Sequence, residues 1–250
     1  MTYCVALRLN RGVVLMSDTR TNAGVDNISV FRKMYSWSVP GERVITLLTA
    51  GNLATTQAVV SLLDERTKAP AERNPSVLEA PSMFQAARLV GETLREVIQE
   101  HGTGGQQADA TFHGTLILAG QIATSEPRIF LIYPEGNFIE ASDDTPFFQI
   151  GETKYGRPIL IRAYDPEMSF ENAVKLLLVS FDSTIKANLS VGLPIDVLVY
   201  EKDSLQIGHR LRIEPDNAYF QQISTGWGNA LREAFQKLPD FHFPSGGEPG

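Results

Sequence analysis

The chain has 250 residues, with 29 acidic and 22 basic side chains and a formal net charge of −7 at pH 7. This length is sufficient for one domain with a large core, and the acidic balance argues against nucleic acid as a partner. No apolar run reaches membrane-spanning length and no secretory signal pattern is present, so we expect a cytoplasmic protein without membrane contact. Its single cysteine, Cys4, cannot form an internal disulfide, which fits that location.

Apolar patterning predicts four strands in the first 50 residues and four more from residue 115 onwards. A turn at residues 10–12 makes a hairpin of the first two strands, and the second strand leads into residues 17–20, which include Asp18. The predicted strands are Tyr3 to Leu9, Val13 to Met16, Met34 to Val39, Val44 to Thr49, Thr115 to Ala119, Ile129 to Tyr133, Ile195 to Tyr200 and His209 to Ile213. They are apolar nearly throughout, which is typical of sheets covered on both faces and indicates a layered α+β domain.

Capping residues predict where the helices begin. Asn52 opens a helix through Leu62 and Leu63, and Ser82 with Gln85 forms a capping box before the stripe Met83, Ala87, Val90, Leu94 and Val97. Ser169 caps a helix whose inward residues are Phe170, Val174, Leu177 and Phe181, and Leu231, Phe235 and Leu238 mark a last helix. Residues 69–81 and 101–110 are predicted loops, residues 1–243 a single domain, and residues 244–250 a disordered tail.

The second residue, Thr2, is a candidate nucleophile. Initiator methionine is normally removed before a small residue, so we expect a mature chain that starts with Thr2. An N-terminal threonine carries a hydroxyl nucleophile and an α-amine whose pKa lies near ~8, so the amine can act as the general base. Taken alone, a threonine at this position is common and has no catalytic meaning.

Three further residues at strand ends give this threonine a context. The predicted hairpin returns Asp18 to a position beside Thr2, Lys33 directly precedes the third strand, and Gly51 follows the fourth. Each of these residues has an ordinary structural interpretation by itself, as a turn residue, a solvated cation or a helix-entry glycine. Together they supply an acid, a cation and a glycine N–H near one nucleophile, and we expect them to converge.

This pattern resembles the proteasome β-subunit family, and within it the bacterial branch called Anbu. The resemblance rests on Thr2, the run Asp-Thr-Arg-Thr-Asn-Ala-Gly from Asp18 to Gly24, Lys33, and Thr49-Ala50-Gly51. It implies the four-layer αββα sandwich of N-terminal-nucleophile hydrolases, with catalytic residues Thr2, Asp18, Lys33 and Gly51. It further implies that Thr21, Thr49 and Ala50 bind an extended peptide.

Two later segments resemble the family more loosely. Residues 150–156 resemble its glycine-serine loop, with Glu152 or Thr153 where the family has a supporting serine. Residues 188–192 lie where the family has an aspartate and a serine: the first is Asn188 here, and Ser190 fits the second with a shift of one residue. Lys33 also lies one residue nearer to Asp18 than in most proteasome subunits. The departures therefore concern the residues that support the catalytic group.

The resemblance implies a threonine peptidase that acts on peptides or unfolded proteins inside a self-compartmentalised homo-oligomer, either a ring or an open helical assembly. One alternative is an amidase or acyl-transferring hydrolase for a small substrate, which a closed pocket around Thr2 would favour over an open groove with a free strand edge. Another is an assembly protein that keeps the fold, which a retained Met1 would favour.

No cofactor is predicted. The four histidines show no metal-binding spacing, and Gly151 to Gly156 is followed by Arg157 and Pro158 instead of the residues that a phosphate-binding loop needs. Any ATP-driven unfoldase would therefore be a separate partner.

Overall fold

A computed structural model describes residues 2–22, 28–68, 75–101 and 112–243. The strands are β1 (Tyr3–Leu9), β2 (Gly12–Asp18), β3 (Arg20–Asn22), β4 (Ile28–Val30), β5 (Met34–Val39), β6 (Arg43–Gly51), β7 (Gly114–Ile122), β8 (Arg128–Ile132), β9 (Phe138–Glu140), β10 (Phe147–Gly151), β11 (Ile195–Glu201) and β12 (Arg210–Ile213). The helices are α1 (Leu53–Lys68), α2 (Met83–His101), α3 (Arg157–Ala163), α4 (Phe170–Ala187) and α5 (Ala218–Gln236).

Two five-stranded antiparallel sheets form the centre of the molecule. The first has the strand order β10-β1-β2-β11-β12, and the second has the order β5-β6-β7-β8-β9. The short strands β3 and β4 pair separately as a hairpin between β2 and β5. This order places β1 and β2 inside the first sheet, where both of their faces are covered.

Side-chain alternation on β1 separates two of the three hydrophobic cores. Tyr3, Val5 and Leu7 pack with residues of α4, whereas Cys4 and Ala6 pack with residues of the second sheet. A third core joins the outer face of the second sheet to α1 and α2. Three cores separate four layers, so the predicted α+β sandwich of αββα type is confirmed.

The predicted caps occur where the sequence placed them. Asn52 accepts the Thr55 N–H at 3.1 Å, Ser82 accepts the Gln85 N–H at 3.2 Å, and Ser169 accepts the Asn172 N–H at 3.2 Å. The predicted stripe of α2 is buried throughout. α1 continues to Lys68, beyond the predicted end at Leu63, because its buried face extends to Arg66.

The predicted last helix is present and contains Leu231 and Phe235, whereas Leu238 lies after its end. α5 begins at Ala218, after Asn217 accepts the Phe220 N–H at 2.9 Å, and ends before Leu238. Leu231 and Phe235 are exposed, and Phe220 is the buried residue of the helix. Phe220 and the partly buried Ile223 pack this helix against the core, and its later apolar residues, Leu231 and Phe235, face solvent.

Several elements were not predicted from the sequence, namely β3, β4, β9, β10 and α3. The predicted tail, the first part of the loop at 69–81 and most of the loop at 101–110 lie outside the described residues. Among the helices of the described part of the chain, none combines the length and the apolar character that crossing a membrane requires.

Candidate active site

The carboxylate of Asp18 is the centre of a buried hydrogen-bond cluster at the start of β1. Its Oδ1 accepts the Tyr3 N–H at 3.0 Å and a Lys33 Nζ proton at 2.8 Å, and its Oδ2 accepts the Gly192 N–H at 3.4 Å. Burial raises the pKa of the Asp18 carboxyl above its ordinary value, whereas the Lys33 ammonium and the two N–H donors oppose that rise. One oxygen thus connects Lys33 to the peptide group that follows Thr2.

Lys33 is held at both its side chain and its backbone. Its Nζ also donates to the Arg20 carbonyl oxygen at 2.6 Å, and its side chain is only 5% exposed. Its own carbonyl oxygen accepts the Thr49 N–H at 2.9 Å, which joins the residue before β5 to the end of β6. The ammonium therefore has a fixed position, as a group needs if it is to act electrostatically on a neighbour.

Thr2 is placed by β10, a strand that the sequence analysis did not identify. The Thr2 carbonyl oxygen accepts the Glu152 N–H at 2.6 Å. Thr2 is buried, with an exposed fraction of 8%. Gly151 has φ = +84°, and a β-carbon there would lie 1.9 Å from the Thr2 carbonyl oxygen. Only glycine permits this approach, because a side chain would be both strained and in collision with Thr2.

Three of the predicted supporting residues form one polar group beside Thr2. The Asn188 side-chain amide donates to Glu152 Oε2 at 3.0 Å, and the Asn188 side-chain oxygen accepts the Ser190 N–H at 3.0 Å. Glu152 Oε1 accepts the Lys154 N–H at 3.2 Å. Thr153 follows Glu152 in the chain and is half-buried. The side chains of Glu152 and Asn188 thus complement each other at the positions where the sequence departs from the family pattern.

The end of β6 carries Thr49, Ala50 and Gly51 past the start of β5. The Thr49 N–H points to the side of β6 on which Lys33 lies, because it donates to the Lys33 carbonyl oxygen. The Asn52 N–H points to the other side, where the carbonyl oxygen of His113, just before β7, accepts it at 2.8 Å. Because successive residues of a strand point their N–H groups to opposite sides, the Gly51 N–H points to the same side as that of Thr49. Gly51 has φ = +114°, and a β-carbon there would lie 2.3 Å from the His113 carbonyl oxygen.

The ends of β1 and β6 lie together across the two sheets. Cys4 Sγ donates to the Thr49 carbonyl oxygen at 3.7 Å, and Cys4 and Ala50 belong to the same core. Burial raises the pKa of the Cys4 thiol, which suits a core residue and not a nucleophile.

Thr21 lies in β3 opposite Ser29, and its hydroxyl is buried without a hydrogen-bond partner among the described residues.

The structure brings Thr2, Asp18, Lys33, Glu152 and Asn188 into one contact network. Gly51, Thr49 and Ala50 lie on the neighbouring strand end, and Thr21 lies on the hairpin that follows Asp18. Sequence reasoning did not find the backbone donors of Tyr3 and Gly192 or the acceptor carbonyl of Arg20, because backbone groups leave no residue-type signal. Among the described residues, no group of three or more His, Cys, Asp or Glu is arranged to hold a metal ion.

A family model described as "Proteasome subunit" matches residues 2–200 of the chain. This chain belongs to the proteasome subunit family. The match extends from the candidate nucleophile to Tyr200 in β11, and it includes every predicted site residue. Family membership and fold make the chain a hydrolase in the general sense, of the N-terminal-nucleophile type.

The chain is also similar to solved Anbu structures over nearly its whole length. It is 47% identical to Anbu (ancestral beta-subunit) from Yersinia bercovieri, with a TM-score of 0.89 over 96% of this chain and 100% of that one. It is 50% identical to Anbu from Hyphomicrobium sp. strain MC1, with a TM-score of 0.89 and the same coverage. The helical assembly of the Anbu complex from Pseudomonas aeruginosa shares 46% identity, with a TM-score of 0.88 over 96% of this chain and 98% of that one.

The resemblance to the Anbu branch of this family is therefore confirmed. Among the curated proteins, no sequence matches the chain.

Proposed function

We propose that the protein is a proteasome-type threonine peptidase that cleaves peptide bonds with Thr2 as its N-terminal residue, after Met1 has been removed. The main support for this proposal is that Asp18 Oδ1 accepts two hydrogen bonds, one from Lys33 Nζ and one from the Tyr3 N–H. A buried cation is thereby fixed next to the peptide group of Thr2. Its position suits the activation of a terminal amine and hydroxyl.

In the proposed reaction, Thr2 Oγ forms a bond to the carbon of the scissile carbonyl. The hydroxyl proton passes to the α-amine, which then transfers it to the leaving nitrogen as the carbon–nitrogen bond breaks. Water hydrolyses the resulting ester and restores the Thr2 hydroxyl. The Lys33 ammonium lowers the pKa of the neighbouring α-amine, so that more of the amine is neutral and able to accept a proton.

The N–H of Gly51 is the proposed donor to the negatively charged oxygen that forms during attack. It points towards the side of β6 on which Lys33 lies, past the first residue of β5. An oxyanion donor of this kind contributes about 2.7–4 kcal/mol in a comparable site.

Within the described residues, the end of β6 extends beyond its pairing with β5, and this strand edge supports a peptide as the substrate. β5 begins at Met34, which pairs with Leu48, so Ala50 and Gly51 extend beyond the last β5 pair. An extended peptide can add to such an edge through backbone hydrogen bonds, with Thr21 on the β3 hairpin and Thr49 beside it. This arrangement favours peptide cleavage over the alternative amidase acting on a small substrate.

The pair of Glu152 and Asn188 is proposed to support Thr2 in place of the family's serine and aspartate. The Glu152 N–H holds the Thr2 carbonyl, while the Glu152 side chain is itself held by Asn188. This connection gives a physical route by which the altered residues can keep Thr2 in position, and it argues against the alternative of an inactive assembly protein.

A homo-oligomer, either a ring or an open helix, is the proposed working form. The Anbu complex from Pseudomonas aeruginosa has a helical assembly, and the outer face of α5 with the segment after it exposes large apolar side chains, of Leu231, Phe235, Leu238, Phe241 and Phe243. Exposed apolar patches of this kind mark interaction sites. A separate ATP-driven unfoldase is the proposed supplier of unfolded chains in the cytoplasm.

The test is an intact-mass spectrum before and after incubation with a peptide epoxyketone, a reagent that needs both the hydroxyl and the free amine of an N-terminal threonine. We expect a mass without Met1 and one adduct per chain, which Thr2→Ala abolishes and Thr2→Ser retains. Thr145→Ala, a change of the same size at an exposed turn, serves as the control and should react like the wild type. A chain that retains Met1, or a clipped chain that never reacts, would favour the assembly protein.

A further inference from the structure

A cleft lined by three arginines lies between the outer edges of the two sheets. β12 is the edge strand of the first sheet and β5 is the edge strand of the second. The cavity between them has a volume of about 270 Å³, and we refer to it as the arginine cleft. Its lining residues are Arg32, Met34, Asp196, Arg210, Leu211 and Arg212.

The arginines face the space between the sheets. On β11, Leu198 belongs to the core between the sheets, and Asp196 lies two residues away on the same face. Asp196 is paired with Arg212 across β11 and β12, so Arg212 and its neighbour two residues away, Arg210, share that face. The floor of the cleft is Met34, which is buried in the same core.

The positive charge of the cleft is only partly neutralised. Arg212 donates to both carboxylate oxygens of Asp196, from Nε at 2.7 Å and from Nη2 at 2.9 Å. Arg210 donates from Nη2 to the Ser36 hydroxyl at 2.7 Å, and it forms no ion pair with a carboxylate of the described residues. In the described part of the chain, Arg32 has no side-chain hydrogen bond or ion pair. The lining of the cleft therefore has three guanidinium groups and one carboxylate, an excess of two positive charges, in a chain whose net charge is −7. Glu214, outside the lining, is a second carboxylate that acts on Arg212.

Arginines on an edge strand can serve simply to prevent strand pairing with another molecule. Charged side chains serve that role whether they point outward or inward, and the role requires no fixed orientation of the charged group. Here Arg210 instead crosses to β5 and Arg212 is clamped by Asp196, so both guanidinium groups are held in fixed orientations around a cavity. Pre-oriented guanidinium groups with unused N–H donors match the geometry of carboxylate and phosphate oxygens.

We propose that the arginine cleft binds a small oxyanion that carries at least two charged oxygens. Arg32 and Arg210 contribute the uncompensated charges, and Arg212 contributes its remaining terminal nitrogen. Arg32 and Met34 directly flank Lys33 in the chain, and Ile195, next to Asp196, pairs with Asp18. A bound anion therefore contacts the two strand segments that position the Lys33–Asp18 pair, without contacting that pair.

The test is a calorimetric titration of the full chain with inorganic phosphate at neutral pH and constant ionic strength. We expect one phosphate per chain, and about tenfold weaker binding for Arg32→Gln and for Arg210→Gln, because each loses a charge-assisted hydrogen bond. Arg162→Gln removes an exposed arginine of α3 outside the cleft and should leave the affinity unchanged. Arg32→Gln removes no side-chain hydrogen bond or ion pair among the described residues, so it cannot weaken binding through the loss of such a bond.

The absence of saturable binding, or an equal loss in all three variants, would overturn the proposal. A parallel titration with succinate identifies the source of the oxyanion. Binding of phosphate alone assigns a phosphate, and succinate binding with the same dependence on the variants assigns a carboxylate. Titrations repeated with Thr2→Ala make the result independent of peptidase activity, so the failure of one proposal leaves the other standing.

Discussion

Gly151 packs against the backbone of Thr2 so closely that a β-carbon on Gly151 would lie 1.9 Å from the Thr2 carbonyl oxygen. The same glycine has φ = +84° and is the last residue of β10. Together with the Glu152 N–H that follows it, Gly151 sets how closely the Thr2 backbone approaches the end of β10. The position of the proposed nucleophile is therefore determined by contacts from a segment far along the sequence.

Replacement of Gly151 by alanine should displace Thr2. We expect the free energy of unfolding to fall by at least about 2 kcal/mol, and the rate of peptide hydrolysis to fall by about 100-fold, because a displacement near 1 Å of a reacting group has that effect. Urea unfolding and hydrolysis of a fluorogenic peptide measure the two quantities.

The matched control is Gly41→Ala. Gly41 has φ = +76° but has no atom within 4 Å of an added β-carbon. It should therefore lose only the strain term, about 1–2 kcal/mol, and should keep wild-type activity. Equal activities of the two variants would show that the contact between Gly151 and Thr2 does not position the nucleophile.

Variants of the ion pair between Lys33 and Asp18 should affect the stability of the protein and its peptidase activity differently. Lys33→Met leaves a buried carboxylate without its cation and should cost about 3–5 kcal/mol. The double variant Asp18→Asn with Lys33→Met removes both charges, so most of this loss should be recovered, while peptide hydrolysis stays absent because no ammonium remains beside Thr2.

The exposed pair of Arg8 and Asp143 provides the comparison, since their nitrogen–oxygen distance is 3.1 Å and Asp143 is 96% exposed. Asp143→Asn should change the stability by less than about 1 kcal/mol. Wild-type turnover in the double variant would mean that the buried pair has only a structural role.

The layers of the fold could be predicted because long strands and capped helices leave strong patterns. The buried stripe of α2 and the caps Asn52, Ser82 and Ser169 can each be recognised from a short local pattern in the sequence. Asp18 could be placed beside Thr2 because a hairpin of known turn length fixes which residues face each other.

The contacts that complete the site could not be predicted in the same way. The end of β10 was interpreted as a loop because residues 150–156 resemble the family's glycine-serine loop, and the five residues of the strand are too few to show a clear period. Its partner β1 lies 140 residues earlier in the chain, and nothing local in the sequence identifies such a pairing. The contact between Glu152 and Asn188 could not be predicted for the same reason. It joins the residue after β10 to the residue after α4, which are far apart in the sequence.

Asn188→Asp should place a second carboxylate beside that of Glu152, in place of the amide that now donates to Glu152 Oε2 at 3.0 Å. At neutral pH we expect a loss of about 1–3 kcal/mol of stability, because a hydrogen bond is replaced by repulsion. The loss should shrink as the pH falls, since a proton shared by the two carboxylates restores a hydrogen bond. Asn172→Asp, at an exposed position in the first turn of α4, should show no loss at either pH. A deficit that does not depend on pH would contradict this account.

Tyr3 should make the stability of the protein sensitive to alkaline pH. Its hydroxyl accepts the Gln149 side-chain N–H at 2.7 Å and lies 2.7 Å from Ser180 Oγ, which donates to the Gly156 carbonyl at 3.1 Å. Burial raises the pKa of Tyr3 from 10.0 to about 12. The unfolded chain therefore loses this proton first, so that the stabilising contribution is complete below pH 10 and is lost as the pH rises from 10 towards 12.

Tyr3→Phe isolates that contribution from the titration of all other groups. At neutral pH the variant should be about 1–3 kcal/mol less stable, because the Gln149 N–H loses its acceptor. As the pH rises above 10 the wild type should lose up to about 3 kcal/mol relative to the variant, so the difference between the two should shrink or reverse. Urea unfolding of both proteins across this range measures the difference, and Tyr219→Phe, a half-exposed tyrosine of α5, should remain parallel to the wild type. A constant difference between Tyr3→Phe and the wild type would mean that the Tyr3 hydroxyl ionises in the folded protein as it does in the unfolded chain.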